Sequence, residues 1–135
     1  MRAMVLEKPG PLSSQSLELR DISVPSAREG EVLLRVLSCG VCHTDLHTIE
    51  GDITPPSLPV VPGHEVVAEV VEQGRGVREP ATGTRVGAAW VRKSCGNCRF
   101  CRDGGENLCE SIEFNGFHAN GGYAEYMTAP AGYVY

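Results

Sequence analysis

Short apolar runs, broken at close intervals by glycine and proline, make up most of this chain. Residues 1–6 form one such run, closed by the turn sequence Glu7, Lys8, Pro9, Gly10, and residues 16–20 are placed to return as the second arm of a hairpin. Residues 31–38 alternate only weakly, with Val32, Leu34 and Val36 on one face and Leu33, Arg35 and Leu37 on the other. A strand this apolar on both faces belongs in the middle of a sheet. Residues 65–72, 85–91 and 122–128 read as further strands, and a proline-rich stretch at 54–63 separates the first of these from what precedes it. The one convincing helix runs from about 42 to 49 and stops at Gly51. Short strands at this interval predict a mostly β fold, a barrel or sandwich with small helical insertions. Residues 129–135, APAGYVY, read as a turn leading into a new strand. Because termini are normally polar and loosely held, this end is expected to be a truncation; an edge strand completed by a neighbour is the alternative.

Composition narrows the class. The 135 residues are 41% apolar and 21% charged, the balance of one globular domain. A formal net charge of −5 gives no basic surface for nucleic acid, and no apolar stretch is long enough to span a bilayer. The N-terminus lacks the apolar core of a signal peptide. Metal-spaced cysteines without such a leader point to a reducing, cytoplasmic compartment.

Cys95, Cys98, Cys101 and Cys109 follow the spacing C-x2-C-x2-C-x7-C, among Gly96, Asn97, Gly104 and Gly105, which let the backbone turn. Four converging thiolates suit tetrahedral Zn²⁺, and a closed Cys₄ site leaves no position for substrate. The expectation is a structural zinc lobe at about 92–112. An iron–sulfur cluster is the other four-cysteine reading, but the ferredoxin run ends C-x3-C-P and Cys109 is followed by Glu110.

Chemistry is expected elsewhere. Cys42 and His64 each stand at the end of a regular element, a thiolate and an imidazole that with one more ligand would form an open zinc site. Such a site suits Lewis-acid chemistry on an alcohol oxygen. Thr44 and His47 are three apart on one helix face, a hydroxyl and an imidazole suited to relaying a proton. Each signal alone has a plainer reading: Cys42 as a small buried hydrophobe, His64 as a bonded interior residue, Thr44 as a helix cap and Asp45 as a partner of the helix dipole. Cys39 reads as core, and His118 as an ordinary surface residue. The combination beside a Cys₄ loop lifts the catalytic reading above these.

Taken together, GEVLLRVLSCGVCHTDLH, GD, PVVPGHE, the Cys95–Cys109 lobe and GGYAEY resemble the zinc-dependent alcohol dehydrogenases of the medium-chain dehydrogenase/reductase superfamily. The resemblance spans most of the chain and implies a GroES-like catalytic barrel with structural zinc on the four cysteines. It implies catalytic zinc on Cys42 and His64, with Glu65 a near or alternating ligand and Asp45 orienting His64 from behind. Thr44 and His47 fall on the family's proton-relay positions, and His43 where the family places a basic residue near the coenzyme pyrophosphate. Trp90 resembles the pocket tryptophan of enzymes acting on small primary alcohols. Ile53 replaces a second tryptophan, implying room for larger substrates.

Three departures matter. Ala68 replaces a glycine usual after Gly-His-Glu-x-x, and no residue matches the family's third catalytic-zinc cysteine. No G-x-G-x-x-G follows a strand and opens a helix, so the NAD or NADP domain is absent from these residues. The resemblance implies oxidation of a primary or secondary alcohol to an aldehyde or ketone in the full enzyme, with alcohol or aldehyde as partner and a homo-oligomer as a further expectation. The alternative is a catalytically incomplete, free-standing zinc-binding structural or assembly module.

Overall fold

The computed structural model describes residues 1–13 and 16–135. Its strands are β1 (Arg2–Val5), β2 (Glu18–Asp21), β3 (Glu31–Gly40), β4 (Glu65–Gln73), β5 (Arg85–Ala88), β6 (Val91–Lys93), β7 (Glu113–Phe114) and β8 (Tyr126–Pro130). Two helices accompany them, α1 (His43–Glu50) and the single turn α2 (Arg99–Arg102), with 3₁₀ turns at Glu106–Leu108 and Ala131–Tyr133. The fold is mostly β with short helices, as the spacing of apolar runs predicts.

All three sheets are antiparallel: β1 with β2, β6 with β7, and the four-stranded β5-β4-β3-β8. The expected hairpin forms, Arg2 opposite Asp21 and Val5 opposite Glu18. As its two apolar faces required, β3 lies inside the large sheet, between β4 and β8. Val32, Leu34, Val66, Ala68, Val70, Val86, Ala88, Met127 and Ala129 form its core. On β4, Val66, Ala68 and Val70 point inward while Glu65 and Val67 face solvent, the period-two pattern of a half-buried strand. A register shift between Val36 and Ser38 turns Leu37 outward and lets Cys39 pack against the core. The sheet curls until its ends meet, because Val134, four residues past β8, bridges Ala88 of β5.

Three expected elements differ. Residues 85–91 are two strands rather than one: Asn115 takes the Trp90 and Ala89 carbonyls, at 3.0 Å from its N–H and 2.8 Å from its Nδ2, and redirects the chain toward β7. The strand expected at 122–128 begins only at Tyr126, since Gly122 and Tyr123 give their N–H groups to Gly63 and Pro62. The new strand expected in 129–135 is a 3₁₀ turn followed by a short pairing of Gly87 with Tyr135, at 2.7 and 3.0 Å.

Away from the large sheet, Arg92 on β6 is buried and its guanidinium reaches Glu31 at 2.6 Å, Asn115 at 3.2 Å and the Thr128 carbonyl at 2.5 Å. This fastens the base of the cysteine lobe to β3 and β8. Among the described residues every buried side-chain nitrogen and oxygen has a partner. Among the described residues no helix is long and apolar enough to cross a membrane.

Candidate active site

Where β3 ends, the chain turns into α1 through Cys42, whose extended backbone (φ −100°, ψ 155°) caps the helix; Thr44 is not the cap. Asp45, Thr48 and Ile49 face inward, at the spacing of one helical face. A carboxylate at such a position must find donors, because an unpaired buried charge is costly. Asp45, 2% exposed, finds four. Its Oδ2 accepts the Cys42 N–H at 3.0 Å and the Tyr123 hydroxyl at 2.9 Å; Oδ1 accepts the Gly63 N–H at 3.0 Å and His64 Nδ1 at 3.1 Å.

The electrostatics follow from these bonds. Burial alone would raise the Asp45 pKa, but the His64, Cys42 and Tyr123 donors hold it below the usual carboxylate range. Burial would lower His64, yet the Asp45 carboxylate holds it above the ordinary imidazole value. The Cys42 thiol is lowered, by the Thr44 backbone N–H first, then the Thr44 hydroxyl and His64. Tyr123 is pushed up by burial and by Asp45, and Cys39, half buried, up to about 11 by burial.

His64 Nδ1 being engaged by Asp45, the imidazole offers Nε2 on its other side. Cys42, His64 and Glu65 place one donor atom each within 4.8 Å of one another. A thiol, an imidazole and a carboxylate that converge beside an open cleft match the three-ligand pattern of an open zinc site. Glu65 thus takes part in the cluster, where spacing alone singled out only Cys42 and His64. The cleft, about 400 Å³, is lined by His64, Glu65, Trp90, Tyr135 and the facing stretches of β4 and β5. Trp90 sets its ring edge-on to His64 at 4.6 Å between centroids and stacks on Phe114 at 4.4 Å. Ile53 does not line this cleft.

On the outer face of α1, Cys42 Sγ lies 3.8 Å from Thr44 Oγ1. The half-exposed His47 gives its Nδ1 to Asp52 at 2.7 Å and stacks on exposed His43 at 5.0 Å, with 21° between the rings. Thr44 and His47 share the face but do not bond each other directly among the described residues. Asp52 was missed as His47's partner, although its place just past the Gly51 helix stop is a readable signal. Tyr123 was missed too, since nothing near it in sequence indicates Asp45.

The second cluster is closed. Cys98 and Cys101 sulfurs are 3.5 Å apart and those of Cys95 and Cys101 3.9 Å, close to the ~3.8 Å edge of a tetrahedron of sulfurs about 2.3 Å from one centre. Cys109 completes the set. The Cys95 and Ser111 N–H groups point at Cys109 Sγ, and that of Cys98 at Cys95 Sγ, each at 3.3 Å. The N–H groups of Cys101 and Glu110 lower the Cys98 thiol to about 6. This donor set fits zinc, which favours soft thiolates in a closed tetrahedron.

The model of the alcohol dehydrogenase GroES-like domain matches residues 28–135. The chain belongs to this family. It is the GroES-like catalytic domain of the zinc-dependent medium-chain dehydrogenases. An alcohol dehydrogenase of Geobacillus stearothermophilus is 47% identical over 121 residues, covering 89% of this chain and 36% of that protein. One from Moraxella sp. TAE123 is 44% identical over 135 residues, covering 99% and 39%. Among solved structures, the cobalt- and zinc-bound thermostable alcohol dehydrogenase from Pyrobaculum aerophilum superposes with a TM-score of 0.91 at 34% identity, over 99% of this chain and 40% of that one. The chain spans about two fifths of the length of the relatives it matches.

Proposed function

We propose that residues 1–135 form one domain, its zinc lobe at about 92–112, that supplies the metal and substrate half of an NAD(P)-dependent alcohol dehydrogenase oxidising a primary or secondary alcohol to an aldehyde or ketone. The observation that carries this is the convergence of Cys42, His64 and Glu65 at the cleft beside Trp90. Cys42, His64 and Glu65 would hold a catalytic zinc, and Cys95, Cys98, Cys101 and Cys109 a structural one. Bound zinc supplies Lewis acidity toward the substrate oxygen. Asp45 keeps the proton of His64 on Nδ1 and so aims Nε2 at the cluster. Trp90 walls the cleft and limits the alcohol's bulk. Thr44 accepts the alcohol proton as it passes its own hydroxyl proton on, and His47 carries a proton to solvent; a bridging water joins the two. His43, exposed on the same face, faces the coenzyme pyrophosphate when a dinucleotide-binding domain is supplied. These residues contain no strand–glycine–helix unit of their own for NAD or NADP, so hydride transfer needs that further domain.

Elemental analysis of the purified chain tests the reading. Two zincs per chain, falling to one in Cys42→Ser and still two in Trp90→Ala, are expected. A single zinc that Cys42→Ser leaves in place would overturn the catalytic site and favour a zinc-stabilised structural module.

A further inference from the structure

Tyr123 belongs to the Gly121–Tyr126 segment and has no role in the reaction proposed above. Its position is nonetheless tightly determined. Its N–H bonds the Pro62 carbonyl at 3.0 Å, and its own carbonyl accepts the Met4 N–H at 2.8 Å. Its ring lies close against Gly63: that residue has φ +97°, and a Cβ there would stand 2.6 Å from the Tyr123 ring and 2.8 Å from its nitrogen. So seated, the ring carries its hydroxyl into the protein to Asp45 Oδ2, 2.9 Å away, with the Gly40 carbonyl at 3.5 Å.

The four donors on Asp45 come from three stretches of chain: Cys42 at the start of α1, the adjoining Gly63 and His64, and, 78 residues from Asp45, Tyr123. The first three belong to the two segments that carry Cys42 and His64. Among the described residues, only the tyrosine ties the carboxylate to the rest of the barrel. Were the hydroxyl absent, Oδ2 would keep a single donor, and the carboxylate could rotate away from His64 Nδ1.

We propose that Tyr123 is a positioning residue for metal binding: its hydroxyl locks the Asp45 carboxylate, and through it the orientation of His64 toward Cys42 and Glu65. The inference rests on the reading of Cys42, His64 and Glu65 as a metal site. It assigns Tyr123 no contact with metal or substrate.

The test loads the Cys95–Cys109 lobe with one equivalent of zinc, then titrates Co²⁺ against a competing chelator. Thiolate-to-cobalt absorption reports the second site, and loss of the signal in Cys42→Ser assigns it. Tyr123→Phe removes only the hydroxyl and keeps the ring on Gly63. Direct hydrogen-bond partners of metal-bound histidines change affinity about 10- to 100-fold, so Asp45→Asn is expected in that range and Tyr123→Phe, one bond further out, at about 3- to 10-fold. In the Asp45→Asn background, Tyr123→Phe is expected to add nothing, a non-additivity that general loosening of the fold would not produce. Parent-like affinity in Tyr123→Phe, or an equal loss in both backgrounds, overturns the inference and leaves the metal site standing. Failure of the parent chain to bind a second metal overturns the site and the inference with it.

Discussion

Asp45 shows how much one residue's role depends on what it meets in space. In sequence it is an acidic residue in the first turn of a helix, well placed for the dipole. Folded, it is the meeting point of the segments that bear Cys42 and His64. Glu65 has a comparable dependence on Gly40, its cross-strand partner: a Cβ at Gly40 would collide with the Glu65 carboxylate. Because the obstructed group is the end of a flexible side chain, Gly40→Ala is expected to change stability by less than about 1 kcal/mol while displacing the carboxylate. Paired thermal denaturation and Co²⁺ titration check this; the expected result is an unchanged melting midpoint with altered second-site affinity. Residue type and spacing singled out Cys42 and His64, and the family resemblance added Glu65. The resemblance also implied Asp45 behind His64; the Tyr123 hydroxyl on Asp45 was not legible, because a contact across 78 residues leaves no local pattern.

At the scale of elements, apolar runs located β3 and β4, and weak alternation with two apolar faces identified β3 as interior, since burying both faces demands apolar residues on both. Leu34 on β3 is fully buried, and Leu34→Ala is expected to cost about 2–5 kcal/mol, measured by urea denaturation. Apolar pattern failed where polar side chains capture backbone: Asn115 splits β5 from β6, and neither half is less apolar for it. The same asparagine accepts from Arg92, whose pairing with Glu31 joins β6 to β3. Arg92→Met leaves Glu31, 17% exposed, without its cation. A loss of about 3 kcal/mol is expected, at the low end for a broken buried pair because Glu31 keeps some water, and smaller for Glu31→Gln. Chemical denaturation of the two variants decides this.

Two means of stabilisation divide the whole molecule. The large sheet closes over an apolar cluster. The cysteine lobe has no such cluster: no residue of α2 or of the Glu106–Leu108 turn is buried, and Leu108 is 59% exposed. With zinc on its converging sulfurs as proposed, a strong chelator is expected to open the lobe and leave the sheet. Trypsin is expected to cut at Arg99 and Arg102 only after chelation, while the far-ultraviolet circular dichroism of the strands persists. Simultaneous loss of both would show that the metal also holds the sheet.

Spacing alone determined the cysteine lobe, because four thiols that close together in sequence can meet without help from the rest of the chain. Short apolar runs bounded by glycine and proline located the main strands, and the ends of β3 and β4 placed Cys42 and His64. Tertiary structure decided what depends on distant backbone. It brought Glu65 beside Cys42 and His64 across the β3–β4 pairing, turned residues 122–123 onto the Pro62–Gly63 loop, and drove the Tyr123 hydroxyl onto Asp45. Local pattern records which face of an element is buried; it does not record which buried donor finds which acceptor, because that pairing is settled only when the barrel closes.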